Sequence, residues 1–376
     1  MHYATVKNPA ETGMTVIDCA GDGRSRGRAH GESARELVRR ALERWADATM
    51  HAWHAVREVP DIDAYAARLL AQTGLFDTVA RVLPDLADEV RGIAEGAGVP
   101  LERVAAYNLM DEQWWYDLDA LSALPTSEPG CSVIGLVGAE STVLAQNMDL
   151  PAYMDGSQIV LRLRDVDGPE ALVLSGAGLI GLTGINAAGV AICVNTLLML
   201  RHNTAGIPVA FALRYALQQH TAGDALQVVQ RITHASGQHY AIADRAGVSS
   251  IECSGDGGVL RAESRGNPLW HTNHPLYGSE VREESVVQLA ASGRIHNSTE
   301  RLAFLHERAP SLHGADDVKA LLADPRTPLC MRPRGVSISQ TFGSVLYRLG
   351  NRPEASFCLG KPGEARWQRV PFAAIG

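Results

Sequence analysis

Apolar residues recur at helical spacing through the first third of the chain and at shorter, strand-like intervals beyond it. Between Glu32 and Ala55, the residues Ala34, Leu37, Val38, Ala41, Leu42, Trp45 and Ala46 make one apolar stripe with Arg39, Arg40 and Glu43 opposite, so a long amphipathic helix is expected. Residues 86–95 repeat the pattern and run into Gly96, Gly98 and Pro100, which end a helix. A third helix is expected from Leu101 into Asp111, Glu112, Gln113, Trp114 and Trp115.

After Cys131 the period changes. Residues 132–137, 142–147, 158–164, 171–175 and 189–195 are short β-branched or alternating runs divided by Gly, Pro and Asp, the pattern of successive antiparallel strands. Helical spacing returns at 207–219 and 223–232, strands at 239–243 and 249–253, helices at 280–291, 298–308 and 315–322, and strands at 341–349 and 355–359. That order predicts an α+β fold with helices packed outside stacked sheets. No internal repeat interrupts it, and the one long connection rich in breakers, residues 120–130, ends at Cys131.

Composition narrows the function classes. A chain of 376 residues, 46% hydrophobic and 20% charged, has ample material for a large core. The formal net charge of −8, without a basic run, argues against nucleic acid or an anionic membrane as partner. No stretch approaches the ~20 apolar residues of a membrane span, and residues 1–7 lack a signal-peptide pattern, so a cytoplasmic protein is expected. The six cysteines, Cys19, Cys131, Cys193, Cys253, Cys330 and Cys358, form no CxxC pair and read as free thiols.

The candidate chemistry starts at Pro129-Gly130-Cys131. Proline fixes φ and glycine tolerates geometries that a side chain forbids, so the Gly130 carbonyl can be held close to the following thiol. Attack on that carbonyl and hydrolysis of the resulting thioester would leave Cys131 with a free α-amine. Its reference pKa of ~8 lets the amine take the thiol proton without a histidine. The alternative is that Cys131 is a small buried apolar residue. Val143, Ala145, Asn147 and Asp149 share one strand face, and one hairpin would bring Asp149 beside Cys131, either to orient the amine or simply to end a strand. In His271-Thr272-Asn273-His274, Asn273 is a candidate oxyanion donor. His271 and His274 as a metal pair lack a third ligand at suitable spacing, so neither metal nor cofactor is expected. Trp114, Trp115, Tyr116 and Tyr153 are candidates either for an acyl pocket, Trp114 and Tyr153 foremost, or for core packing.

Several segments together resemble a known family. They are residues 83–98 with Glu89-Val90-Arg91-Gly92-Ile93-Ala94-Glu95-Gly96; the Gly130-Cys131-Ser132 junction; Gln146-Asn147-Met148-Asp149; residues 184–191 with Asn195-Thr196-Leu197; and Thr272-Asn273-His274. They occur in the order found in the acyl-coenzyme A:6-aminopenicillanic acid acyltransferase family, peptidase family C45. The resemblance implies an N-terminal nucleophile hydrolase with an αββα sandwich. It implies self-cleavage between Gly130 and Cys131 into a mostly helical α-chain, 1–130, and a β-chain, 131–376, that stay together as one globular heterodimer. By the same likeness Cys131 is the nucleophile, Asp149 orients the α-amine, Asn273 is the oxyanion side chain and Asn195 supplies a backbone N–H, as in related bile-salt hydrolases. Arg332, or its neighbour Arg334, matches the active-site arginine. The implied substrate is an acylated amine or amide, with a coenzyme A thioester as a possible co-substrate. Ser132 replaces the threonine of better-known members, and residues 372–376 carry no Ser-Lys-Leu address, which suggests a bacterial-style cytosolic enzyme. Two other readings stay open: an uncut cysteine hydrolase with His234, His239, His271 or His274 as base, and a non-catalytic accessory protein.

Overall fold

Residues 14–121, 130–264, 268–277, 281–291, 294–333 and 339–373 are described by a computed structural model. Upstream of Cys131 they form β1 (Val16–Ala20), α1 (Gly23–Ser33), α2 (Arg35–Trp53), α3 (Ile62–Thr73), α4 (Leu75–Val82), α5 (Pro84–Ala97), α6 (Leu101–Tyr107) and α7 (Met110–Leu121). Downstream come β2 (Gly130–Val137), β3 (Thr142–Pro151), β4 (Gln158–Arg164), β5 (Ala171–Gly176), β6 (Thr183–Asn186), β7 (Ala191–Thr196), α8 (Val209–Leu217) and α9 (Ala222–Arg231). The remainder is β8 (Gln238–Asp244), β9 (Gly247–Ser254), β10 (Gly257–Ser264), β11 (Leu269–His271), α10 (Glu283–Ala291), α11 (Arg294–Arg308), α12 (Ala315–Ala323), β12 (Ser339–Leu349), β13 (Pro353–Leu359) and β14 (Gln368–Val370).

Two sheets result, one ordered β1-β4-β5-β6-β7-β8-β9-β10 and the other β11-β2-β3-β12-β13-β14. Strand alternation explains how they stack. Val133, Leu144 and Val345 of the smaller sheet meet Leu172, Ile185 and Ala241 of the larger in one buried layer. The opposite faces bury outward: Ile134, Val143 and Leu346 pack on Leu305 of α11 and Val318 and Leu322 of α12. Leu161, Ile192 and Tyr240 of the larger sheet pack against the helices α1–α9. The outcome is the four-layer αββα sandwich expected from the sequence.

The upstream segment also gives the larger sheet an edge strand, since β1 pairs in parallel with β4. α1 packs on α5 at very close range. A Cβ placed on Gly27 would stand 2.0 Å from the Glu89 carbonyl oxygen, and one on Gly96 2.5 Å from that of Arg28. Glycines at Gly23, Gly27 and Gly31 therefore lay one helix backbone against the other. Buried ion pairs reinforce the contact and extend it across the Cys131 boundary. Arg26 Nε reaches Glu89 at 3.0 Å, and Arg214 of α8 reaches the same carboxylate at 2.6 and 2.9 Å.

Candidate active site

The hairpin β2–β3 sets Cys131 opposite Met148 and Gly130 opposite Asp149. By alternation, Cys131 shares the inter-sheet face with Val133, while Gly130, Ser132 and Asp149 face α11, α12 and the Met331 segment. Side chains crowd Gly130. A Cβ there would lie 2.7 Å from Met331 Sδ and 3.1 Å from Asp149 Oδ2. Pro129 lies outside the described residues.

The structure brings Asp149, Asn195 and Asn273 around Cys131. β11 pairs with β2, His271 opposite Val133, so the chain just past its end arrives beside Cys131. The Cys131 N–H donates to Asn273 Oδ1 at 2.6 Å. The Cys131 carbonyl accepts from Asn195 Nδ2 at 3.1 Å. This bond uses the Asn195 side-chain amide, a group apart from the backbone N–H that the resemblance implied for the oxyanion. Asn273 Nδ2 donates to the Thr196 carbonyl at 3.2 Å. Asp149 Oδ1 accepts from the Thr341 hydroxyl at 2.6 Å. Asn147, on the same face as Asp149, ties α12 instead: its amide donates to the carbonyls of Leu322 and Leu329 and accepts from Ser344.

The arginine of this site is Arg301, which sequence reasoning missed. It is 1% exposed. Its Nη1 reaches the Cys131 carbonyl at 2.6 Å and Ser132 Oγ at 3.1 Å, its Nη2 reaches Asn273 Oδ1 at 3.1 Å, and its Nε is held by Asn297 at 2.9 Å. Ser298, one turn earlier on α11, accepts from the Asn273 N–H at 2.8 Å. A signal existed: Ser298, Arg301, Leu302 and Leu305 form one buried stripe, in which a charged residue stands out. Arg332, the arginine implied by the resemblance, pairs with Glu364, and its side chain is 34% exposed. Arg334 lies outside the described residues.

None of the candidate histidines bonds to the Cys131 thiol. His239 Nδ1 contacts Asn195 Oδ1 at 2.7 Å and its Nε2 contacts Ser250 Oγ at 2.8 Å. Because Asn195 Nδ2 is committed to Cys131, its oxygen must accept, which puts the His239 proton on Nδ1. Burial, with His271 stacked on it at 3.7 Å, keeps the His239 pKa well below the usual range. His271 bonds to Glu252 and to the Thr272 carbonyl, His274 to Ser298, and His234 to the Val229 carbonyl. The Cys131 thiol is pushed up to about 12 by burial and then by the Asp149 charge, and Arg301 opposes this. An uncut chain therefore holds a protonated thiol, and a nearby base is needed to activate it.

Beside the thiol lies a narrow cavity of about 40 Å³, lined by Cys131, Met148, Leu150, Asp111, Trp114 and Leu213 among others. Trp114 is in its wall; Tyr153 is buried but is not one of the lining residues. Trp115 stacks on His202, and the Tyr116 hydroxyl bonds to Gln72.

The chain is similar to several known proteins. The chain is 23% identical over 290 residues to an acyl-coenzyme A:6-aminopenicillanic-acid-acyltransferase 40 kDa form of Emericella nidulans, covering 77% of each. Among solved structures, penicillin V acylase from Agrobacterium tumefaciens shares 15% identity at a TM-score of 0.40, covering 64% of this chain and 86% of that one. A conjugated bile acid hydrolase mutant from Clostridium perfringens shares 11% at 0.38, covering 64% and 97%. The family model for acyl-coenzyme A:6-aminopenicillanic acid acyl-transferase matches residues 137–364, beginning within β2 and taking in Asp149, Asn195, Asn273 and Arg301, and the protein belongs to that family.

Proposed function

We propose that the chain cleaves itself between Gly130 and Cys131 and then works as an amidohydrolase or acyltransferase through an acyl-enzyme on Cys131. In self-cleavage the sulfur attacks the Gly130 carbonyl carbon, the carbon–nitrogen bond breaks and the thiol proton passes to the departing nitrogen. Water then hydrolyses the thioester, leaving a Gly130 carboxylate and a free Cys131 amine. In turnover that amine takes the thiol proton, the thiolate adds to an amide or thioester carbonyl, and the amine returns the proton to the leaving group. Asn273 and Asn195 offer carboxamides for the oxyanion, Arg301 fixes both the Cys131 carbonyl and Asn273, and Asp149 orients the amine. Water or an amine then takes the acyl group, and hydrolysis is the favoured outcome because a transferase needs a second binding site. A coenzyme A thioester would enter as co-substrate.

One observation carries this reading: the backbone nitrogen that would become the base is already held 2.6 Å from Asn273 Oδ1, while among the described residues no histidine bonds to the thiol. The two products would stay together, because Glu89 and Arg214 pair across the boundary. Intact-mass analysis of purified protein tests it. Two fragments meeting at Gly130 and Cys131 are expected, and Cys131→Ala leaves one inactive chain. An active protein with an unbroken chain refutes the proposal.

A further inference from the structure

The cavity beside Cys131 is apolar over most of its wall, with Met110, Trp114, Met148, Leu150, Leu182 and Leu213 around it, yet a carboxylate, Asp111, also lines it. Asp111 is 6% exposed. Thr196 Oγ1 at 2.6 Å and Gln238 Nε2 at 2.7 Å both donate to its Oδ2, and no donor reaches Oδ1 among the described residues. Its neighbour Glu112 is buried completely; Ser236 and the Val209 N–H donate to Oε1, and Oε2 has no partner. Neither acid forms an ion pair with arginine or lysine among the described residues. Elsewhere this protein treats buried carboxylates differently. Glu89 lies between two arginines and Glu252 meets His271. Asp117, which lines no part of this cavity, has donors on both oxygens from Trp53, Tyr65 and Gln113. Burial raises the pKa of Asp111, and burial followed by the Asp111 charge raises that of Glu112, so both carry a desolvation cost that a cation would relieve.

We infer that the acyl group accepted at Cys131 is a short, unbranched chain ending in a protonated amine, whose ammonium donates to Asp111 while its methylenes lie along Met148 and Leu150. The inference rests on the acyl-enzyme reading above and names its substrate class. An alkyl chain of equal length would bury Asp111 without the missing donor, which is how a polar site rejects an apolar isostere.

The test compares self-processed wild-type enzyme on anilides of 3-aminopropanoic to 6-aminohexanoic acid with the isosteric butanoic to heptanoic series. The best ω-amino substrate is expected to exceed its isostere about 10- to 100-fold in kcat/KM, the range for one charged hydrogen bond. Asp111→Asn should reverse that preference. Binding is read without chemistry, and without relying on the variant, by thermal shifts of wild type with n-pentylammonium and n-pentanol, where only the ammonium should stabilise. Equal or alkyl-preferring rates, no ammonium-specific shift, or turnover of other anilides but neither series overturns the inference while leaving the acyl-enzyme intact. Absence of any acyl adduct on Cys131 instead removes the reading beneath it.

Discussion

Replacing Arg301 by methionine isolates the contribution of one side chain to the site. Methionine keeps most of the buried volume and loses the guanidinium. Two bonds to reacting-site groups disappear, to the Cys131 carbonyl at 2.6 Å and to Asn273 Oδ1 at 3.1 Å. A hydrogen bond to a charged group contributes about 1.5–3 kcal/mol. The two do not sum, because Asn195 still serves the carbonyl and the Cys131 N–H still serves Asn273. Counting one net bond, the barrier rises by about 1.5–3 kcal/mol, a roughly 10- to 150-fold loss of rate. Self-cleavage is followed by intact mass against time after translation, and turnover by kcat on a processed preparation. Arg301→Lys, with one ammonium in place of a fork, should fall between methionine and wild type. A methionine variant that melts like wild type yet processes and turns over within threefold of it would refute the role of Arg301.

His239→Leu should free the Asn195 carboxamide to rotate, lowering kcat about fivefold with little change in KM, since one neutral hydrogen bond contributes about 1 kcal/mol; an unchanged kcat denies that His239 orients Asn195. Gly27→Ala drives a methyl into the Glu89 carbonyl oxygen and should cost about 3 kcal/mol or more in a denaturant melt, whereas Gly223→Ala in α9, with its nearest atom at 3.8 Å, should stabilise slightly. Asp117 tests the pH dependence. Burial raises its pKa to about 7 from the 3.8 of an unperturbed aspartate. The folded state therefore binds the proton more tightly, so this group's contribution to stability is full below about pH 3.8 and is lost as pH rises toward 7. Melts of uncut Cys131→Ala protein between pH 4.5 and 8 should show that decline, and adding Asp117→Asn should flatten it. Parallel curves for the two proteins would contradict the assignment.

Most of the layer order could be read in the chain because most elements carry their own period. Residues 158–164 were expected as a strand and form one with those bounds, and 315–322 differ from α12 by one residue. The failures share a cause: their stability comes from partners distant in sequence. α1 has three glycines in eleven residues and was not expected as a helix, but those glycines let α5 approach and its arginines find Glu89 and Glu95. β1, β6 and β14 are short edges or inner strands whose pairing, not their composition, makes them strands. The helix expected from Leu101 to Trp115 breaks at Asn108, whose amide donates to Val104 and Gly178 and accepts from Ile180, a demand set by the opposing loop.

The site divides along the same line. Cys131 and Asp149 are linked by one hairpin, so spacing alone could bring them side by side, and Asn273 follows from the strand that pairs with β2. Arg332 and Arg301 show where spacing stops informing. Both are arginines close to the site, and Arg332 is only one residue past Met331, which touches the Gly130 position. Direction decides between them. Arg332 follows a run of turns and bends and pairs with Glu364, whereas Arg301 sits on the buried face of α11, held by Asn297 one turn back and aimed at the Cys131 carbonyl. Asp111 makes the same point from the other side of the cavity. As part of Asp111-Glu112-Gln113 it reads like an acidic helix surface, and only the packing of α7 against β7 and β8 turns it into a buried carboxylate bound to Thr196 and Gln238. Cleavage at Cys131 would therefore not separate a finished enzyme from a spent leader. The segment before Cys131 supplies a carboxyl group, that of Asp111, to the wall of the cavity beside the Cys131 thiol.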